Sequence, residues 1–404
     1  MLSISLSKTP LAMACLLAMA IGCTSPDSST SIQADAIAEE AATPAVNAAA
    51  VAPTEETADL IQLAILLDTS NSMDGLIDQA KSQLWQIVNK VTSAKRPDGS
   101  LPNVRVALYQ YGNDGLPMRE NYIQKISDFT GELDQISAEL FALTTNGGSE
   151  YCGAVVGHSL DHLEWTNVEN SLKMVFIAGN EAFSQGPIPF KESCRTAKER
   201  DIIVNTIFCG PEDEGLQTNW GNAALLAEGK FFSIDSDAQT VFIETPYDDR
   251  IIELNDSFNE TYMWYGELGQ GSLQLQRETD GLAEGTDKGY YADRIISKNS
   301  NAYFNSSWDL VDAYSADSTV VFKELGQLPD SLSDKSEEEI KEIVKQQKAD
   351  RDAVKQEIAE LKIKREEFIA QTKAAMAGGA DQLGDAILNA IENQAVEAGY
   401  NFEK

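Results

Sequence analysis

The sequence predicts an α/β fold: a doubly wound, mostly parallel sheet flanked by helices, with a C-terminal extension and a long charged helix. Two observations support this prediction. Between residues 60 and 234, short apolar runs alternate with amphipathic stretches of helical period, which is typical of strand–helix–strand units. Several of these runs are apolar almost throughout, as expected of strands buried on both faces of a parallel sheet.

The elements follow one another in a regular order. The predicted strands are residues 60–67, 104–111, 122–126, 172–178, 202–208 and 230–234. The predicted helices are residues 76–91, 133–143, 154–165, 190–200 and 222–228. The short run 122–126 is predicted to be an edge strand. Sheets of this type bind ligands at the carboxyl ends of their strands.

The part of the chain after the sheet is less clearly patterned. A helix is predicted from about residue 245 toward Tyr262, and residues 261–325 form an extension of undefined fold. Residues 326–404 form a charged helical tail. Two rows in this tail recur every seven residues: Ile340, Gln347, Val354, Leu361 and Phe368, then Val344, Arg351, Ile358 and Arg365. Because polar residues interrupt both rows, a coiled coil and a helix lying against the domain both stay open.

The composition excludes some classes of partner. The 404 residues include 64 acidic and 31 basic side chains, for a formal net charge of −33. A protein with this much negative charge repels the phosphate backbone of nucleic acids, and we therefore expect no nucleic-acid partner. No glycine-rich nucleotide loop and no Ser-His-Asp motif is apparent in the sequence. A hydrophobic fraction of 43% is enough for a sizeable core.

The N-terminal residues indicate export and anchoring. Residues 1–22 contain an apolar run too short to span a membrane, as in a signal peptide. The run ends in Ala-Ile-Gly-Cys23, which resembles a bacterial lipobox and implies lipidation of Cys23. Residues 23–58 are rich in Ser, Thr, Ala and Pro and are predicted to be a disordered tether. We therefore expect a bacterial envelope protein that contacts membrane only through its lipid anchor. Thr24 favours the outer over the inner membrane.

One motif indicates metal chemistry. Asp68-Thr-Ser70-Asn-Ser72 follows the first strand directly and matches the pattern D-x-S-x-S. It resembles the first loop of the metal-ion-dependent adhesion site of von Willebrand factor A (VWA)-like domains. The resemblance covers residues 59–260 and implies a VWA/Rossmann-like sheet. Hydroxyl and carboxylate oxygens suit hard cations, so the expected ion is Mg²⁺, or Ca²⁺ or Mn²⁺.

The other two metal loops are matched less well. For the second loop, where the family usually has Thr, the candidates are Ser149 and Glu150, depending on which glycine sets the register, and then Thr144 and Thr145. For the third loop the family usually has Asp-Gly, whereas this chain has Gly179-Asn180-Glu181. Asn180 offers a neutral oxygen there and Glu181 a charged one. This departure leaves the identity of the metal and its affinity open.

Further strings resemble a subgroup of VWA-like bacterial envelope lipoproteins. They are residues 151–153, 176–181, 204–210, 245–249 and 307–312. This subgroup implies no particular ligand. The resemblance of the metal loop to VWA-like domains implies a binding module rather than an enzyme, in which a carboxylate presented by a protein partner completes the coordination of the cation. Two alternatives remain. One is a structural scaffold of an envelope complex with a degenerate metal site, and the other is a metal-dependent hydrolase.

The cysteines of the domain lead to a further prediction. Cys152 begins a helix beside the second metal loop, and Cys209 ends a strand of the same sheet. Both positions lie at the carboxyl edge of the sheet, and exported proteins can keep disulfides. We therefore predict a Cys152–Cys209 disulfide that braces the site, with Cys194 left over.

Overall fold

A computed structural model describes residues 60–169, 171–234, 242–375 and 382–402. The signal peptide, the tether and Cys23 lie outside the described residues. The strands of the main sheet are β1 (Leu60–Asp68), β3 (Asn103–Tyr111), β4 (Ile123–Thr130), β5 (Leu172–Gly179), β6 (Ile203–Cys209) and β7 (Phe231–Ile234). A small antiparallel pair is formed by β2 (Ala94–Lys95) and β8 (Asn401–Phe402).

The six strands of the main sheet are arranged in the order β4-β3-β1-β5-β6-β7. The central strand β1 pairs in parallel with β3 and β5, and β6 and β7 continue the parallel arrangement. Only β4, at one edge, is antiparallel to its neighbour. The predicted doubly wound, mostly parallel sheet is therefore confirmed, and it brings the carboxyl ends of β1, β3, β5 and β6 to one edge.

Helices cover both faces of the sheet and continue beyond it. Those between the strands are α1 (Asp74–Thr92), α2 (Leu133–Ala142), α3 (Cys152–His162), α4 (Phe190–Glu199), α5 (Glu212–Gln217) and α6 (Trp220–Leu226). Those after β7 are α7 (Asp248–Glu260), α8 (Gly266–Glu284), α9 (Lys288–Lys298), α10 (Leu310–Ala316), α11 (Asp330–Ser333), α12 (Glu337–Ala375) and α13 (Gln382–Glu397).

Two apolar cores lie on opposite faces of the sheet. Because side chains alternate along a strand, Leu63 and Leu67 of β1 pack on one face with residues of α1 and α2. Ala64 and Leu66 pack on the other face with residues of α3 and α4. Strand β1 is thus apolar along nearly its whole length because both of its faces are buried.

The helices after β7 pack against the α1 and α2 face. Helix α9 contacts α1, and α8 contacts α2. Charged side chains connect these layers: the fully buried Arg294 of α9 forms ion pairs with Asp134 of α2 (2.6 Å) and Asp280 of α8 (3.1 Å). The region of undefined fold in the sequence is therefore a helical layer on the sheet domain.

Helix α12 buries one of the two seven-residue rows against its own domain. Val344 and Ile358 are fully buried, and the arginines of that row are also buried. Arg351 pairs with Asp309 (2.6 Å) and Asp312 (2.9 Å). Arg365 pairs with Asp248 and Asp293 at 2.7 Å each. The structure thus favours a helix laid against the domain over a coiled coil, because the polar residues in the row have buried partners within the chain.

The last helix, α13, contacts α1 and β7. After it, β8 pairs with β2, which directly follows α1. Arg96 donates to the carbonyl of Ala398 at 2.7 Å and stacks on the ring of Tyr400. None of the helices in the described part of the chain is long and apolar enough to cross a membrane.

Candidate metal centre

The first loop of the site turns directly after β1. Asp68 is fully buried, and its Oδ1 accepts a hydrogen bond from the backbone N–H of Ser70 at 2.7 Å. This turn brings the hydroxyls of Ser70 and Ser72 to 3.3 Å from each other. Ser70 is buried and Ser72 is exposed. The loop therefore leads from the sheet edge to solvent, with oxygen atoms along one side.

The second loop contributes a carboxylate. Glu150, just before α3, is buried, and its side chain interacts with both Asp68 and Ser70. Its backbone N–H donates to Oε1 of Gln185 at 3.1 Å, which fixes the loop. Of Ser149 and Glu150, the structure brings Glu150 to Asp68 and Ser70. The group formed by Asp68, Ser70, Ser72, Glu150 and, from the third loop, Asn180 is called here the Asp68 cluster. Ser149 is half-buried, and no contact between it and the cluster is found among the described residues.

The third loop contributes Asn180. Its Nδ2 donates to Oγ of Ser72 at 2.9 Å, and its Oδ1 has no hydrogen-bond partner in the described part of the structure. Glu181 is exposed, and its charge raises the pKa of both Asp68 and Glu150. Asn180 thus belongs to the cluster, and Glu181 lies near it on the solvent side.

The two central carboxylates are in an unfavourable environment. Burial raises the pKa of Asp68. Burial and the charge of Asp68 together raise the pKa of Glu150. Each group also has one buried oxygen, Asp68 Oδ2 and Glu150 Oε2, that no donor in the described residues reaches. Two buried acids side by side are costly without a compensating positive charge.

Glycines keep open the space around Asp68. Gly112 has φ of +78°, and a Cβ there would lie 2.7 Å from Asp68 Oδ1. A Cβ on Gly179 would lie 3.2 Å from Asp68 Oδ2 and 2.5 Å from the hydroxyl of Tyr111, which donates to the carbonyl of Ala178. The position of Gly179 therefore has no room for a side chain. The sequence reasoning missed Gly112 and Tyr111, although their position at the end of β3 could have indicated them.

The donor set fits a divalent cation. Asp68 and Glu150 supply two negative charges, and Ser70, Ser72 and Asn180 supply neutral oxygens. This is the all-oxygen set that Mg²⁺, Ca²⁺ and Mn²⁺ prefer. The described residues contain no group of three or more His, Cys, Asp and Glu side chains suited to a metal. The cluster is not such a group, because only two of its five donors are carboxylates and the others are two hydroxyls and an amide.

The predicted disulfide is wrong in this structure. Cys152, Cys194 and Cys209 are all buried free thiols. Cys152 lies on the α3 face, with its Sγ 3.6 Å from the hydroxyl of Tyr111. Cys209 belongs to the core on the opposite face, with residues of α1 and α2. The two cysteines share the carboxyl edge, as predicted, but the sheet lies between them.

Comparisons with known proteins bear on the fold. Residues 62–242, less than half of the chain, match the model of the von Willebrand factor type A domain. The match confirms a VWA domain in that part of the chain, while the lipoprotein subgroup stays a prediction. A search of curated proteins finds no match.

Several solved structures resemble this one weakly. BatB from Bacteroides thetaiotaomicron has 13% identity over 43% of this chain and 90% of its own, with a TM-score of 0.34. The vWF domain of the type V pili tip protein Mfa5 from Porphyromonas gingivalis has 12% identity over 44% of this chain and 90% of its own, with a TM-score of 0.34. Proximal thread matrix protein 1 from the mussel byssus, with zinc in its MIDAS motif, has 16% identity over 44% and 42%, with a TM-score of 0.32. The match thus spans less than half of the mussel protein.

Proposed function

We propose that this protein is a divalent-cation-dependent protein-binding module and that the Asp68 cluster is its binding site. One observation carries the proposal: Asp68 and Glu150 lie side by side, and each has a buried oxygen without a donor in the described residues. The match of residues 62–242 to the VWA domain supports it, since VWA domains generally mediate metal-dependent protein interactions.

The residues of the cluster have distinct roles in this proposal. Asp68 and Glu150 balance the charge of the cation, and Ser70, Ser72 and Oδ1 of Asn180 complete the oxygen set. Nδ2 of Asn180 also fixes the Ser72 hydroxyl through its hydrogen bond. The cation would offer a Lewis-acidic position to a carboxylate of the partner. Because Ser72 is exposed, the partner would approach from that side.

The scaffold alternative also has an observation in its favour. The third loop has Gly179-Asn180-Glu181 where the family usually has Asp-Gly, and the residue that it brings to the cluster is the neutral Asn180, so this loop supplies no charged ligand there. Glu150 restores that charge from the second loop, which is why we favour a working site. A degenerate site would leave Asp68 and Glu150 uncompensated at a cost in stability.

Metal binding is the first test. Titration calorimetry and thermal unfolding with Mg²⁺, Mn²⁺ and Ca²⁺ should show binding and a raised Tm for the native chain. Asp68→Asn and the Ser70→Ala/Ser72→Ala double variant should lose both effects. Asp334→Asn and Ser184→Ala, which change exposed side chains, should retain them. Equal binding by Asp68→Asn and the native chain would contradict the proposal.

Partner capture is the second test. The immobilised chain is exposed to detergent-solubilised envelope proteins of its source cells, in Mn²⁺ or in EDTA. A partner held in Mn²⁺ and released by EDTA supports the binding module. A partner held equally in both, and equally by Asp68→Asn, supports the scaffold.

We further propose that Cys23 anchors the chain at the bacterial envelope, with the outer membrane favoured. The support is the lipobox-like sequence alone. The test is labelling with a fatty-acid probe in a Gram-negative host. The native chain should carry label and fractionate with membranes, and Cys23→Ser should lose both. Cys15→Ser is the matched control and should behave as the native chain does. Label retained in Cys23→Ser would contradict this proposal.

A further inference from the structure

We infer that the partner of the Asp68 cluster is a basic protein segment that presents one acidic residue between apolar side chains. The inference rests on the proposed cation-dependent binding and adds the chemistry of the partner. It is drawn from the segments that surround the cluster, residues 112–122, 144–151, 180–191 and 210–218. They are called here the rim loops, although the third includes the first residues of α4 and the fourth includes the short helix α5.

Hydrogen bonds join the rim loops into one continuous surface. The first two are joined where the N–H of Asp114 donates to the carbonyl of Gly147. The second and third are joined between Glu150 and Gln185. The third and fourth are joined where the N–H of Phe183 donates to the carbonyl of Thr218 at 2.9 Å. The four loops therefore form one connected rim at the edge of the sheet where the cluster lies.

This surface is strongly acidic. Around the buried cluster, the rim loops expose six carboxylates: Asp114, Glu120, Glu181, Glu212, Asp213 and Glu214. The basic side chains in the same loops are Arg119 and Lys191, and Arg119 is paired with Glu120 at 3.3 Å. Because carboxylates outnumber basic side chains in these loops, the cation is the main attraction for an approaching carboxylate. Neighbouring acids on the partner are repelled, whereas neighbouring lysines and arginines are attracted.

The surface also exposes large apolar side chains. Met118 is 73% exposed, Ile188 37% and Leu216 51%, and each belongs to a different rim loop. Single exposed apolar residues are ordinary on protein surfaces. Here, however, they lie in the loops around two buried carboxylates whose Oδ2 and Oε2 have no donor in the described residues. On binding, apolar residues beside the partner's acid would cover Met118, Ile188 and Leu216.

Three labelled peptides test the inference on the full chain by fluorescence anisotropy, in Mn²⁺ and in EDTA. The basic probe has one aspartate between two leucines, with two lysines at each end. The second probe replaces the aspartate by asparagine, and the third replaces the lysines by glutamates. We expect EDTA-sensitive binding of the basic probe that is about tenfold tighter than that of the acidic probe. The asparagine probe should show no EDTA-sensitive binding.

Variants assign the preference to the rim. Glu212→Lys/Asp213→Lys/Glu214→Lys should weaken the basic probe several-fold, and neutralisation of the same residues to Gln and Asn should do so less. Because the same charges also act on Mn²⁺, each variant is tested at a Mn²⁺ concentration that saturates it, as judged by its rise in Tm. Glu360→Lys/Glu366→Lys/Glu367→Lys, on exposed positions of α12, makes the same charge change away from the rim loops and should leave probe affinity unchanged.

The outcomes separate the two levels of the argument. If Mn²⁺ binds but the basic probe binds no tighter than the acidic one, absent binding included, the inferred partner chemistry is overturned and the cation site stands. An equal loss of affinity in the rim and α12 variants also overturns it, since general charge attraction then explains the binding. If the native chain binds no cation, both proposals fail.

Discussion

Asn205 of β6 and Gln394 of α13 exchange two hydrogen bonds between their side-chain amides, at 3.0 and 2.8 Å, although 189 residues separate them. Both side chains are buried. Oδ1 of Asn205 also accepts from the backbone N–H of Lys230 at 2.9 Å. The pair connects α13 to the central sheet, and because it is shielded from water, Nδ2 of Asn205 depends on Gln394 as its acceptor.

We expect Gln394→Ala to lower the free energy of unfolding by about 1–3 kcal/mol, because it leaves the buried Nδ2 of Asn205 without its acceptor, although Oδ1 keeps the N–H of Lys230. Urea denaturation measures the change. Val396→Ala, at an exposed position on the same helix, should have little effect. In the double variant with Asn205→Ala the losses should be less than additive, and strict additivity would show that the pair is not coupled.

The fold of the sheet could be predicted because its strands are apolar on both faces and alternate with helices. The helices after β7 could not, because their buried faces contain charges. Arg294, Arg351 and Arg365 indicate solvent exposure when considered alone, yet each lies between carboxylates that are distant in sequence. No local pattern identifies such partners.

The candidate site could be predicted only in part, because only some of its residues lie at the end of a strand. Asp68, Ser70 and Ser72 follow a strand, so their positions were set by the end of β1. Ser149 and Glu150 lie in an irregular loop, where neither strand nor helix period tells which side chain turns inward. The disulfide prediction used the correct edge of the sheet but not the face, which the alternation of Phe208 and Cys209 along β6 determines.

Removal of a buried arginine from α12 should be costly. Arg351→Met leaves Asp309 and Asp312 buried without their cation, so we expect a loss of about 3–5 kcal/mol of unfolding free energy in urea. Lys348→Met, at an exposed pair on the same helix, should change it by less than about 1 kcal/mol. Similar losses in the two variants would mean that the buried ion pairs do not stabilise the packing of α12.

Asp280 should make the protein sensitive to acid. Burial alone would raise its pKa, but Lys298 and Arg294, with hydrogen bonds, hold the pKa well below its ordinary value of 3.8. The unfolded chain therefore takes up the proton first, so the stabilisation is present above pH 3.8 and is lost as the pH falls below it. Urea midpoints across that range should fall more steeply for the native chain than for Asp280→Asn. Asp256→Asn, at an exposed position, should follow the native chain.

The space beside Asp68 can be tested with two glycines. Gly112 and Gly99 both have positive φ, so a Cβ strains the backbone at either position. A Cβ on Gly112 would also lie 2.7 Å from Asp68 Oδ1, whereas nothing lies within 4 Å of one on Gly99. Gly112→Ala should therefore lose more stability than Gly99→Ala and also lose the Mn²⁺-induced rise in Tm. An unchanged rise in Gly112→Ala would show that this space is not needed for the cation.

Glu150→Gln should stabilise the cation-free protein but weaken its binding of the cation. Without a cation, burial and the neighbouring Asp68 raise the pKa of Glu150, so at neutral pH folding makes it take up a proton that the unfolded chain has released. Gln avoids this cost, so we expect a gain of roughly 1–3 kcal/mol in unfolding free energy in EDTA at neutral pH. With Mn²⁺, the lost charge weakens binding, so the rise in Tm should be smaller than in the native chain. Glu192→Gln, exposed on α4, should change neither quantity. A variant that is less stable in EDTA would mean that Glu150 supports the fold through contacts of its own, and its proposed role as a ligand would lose its main support.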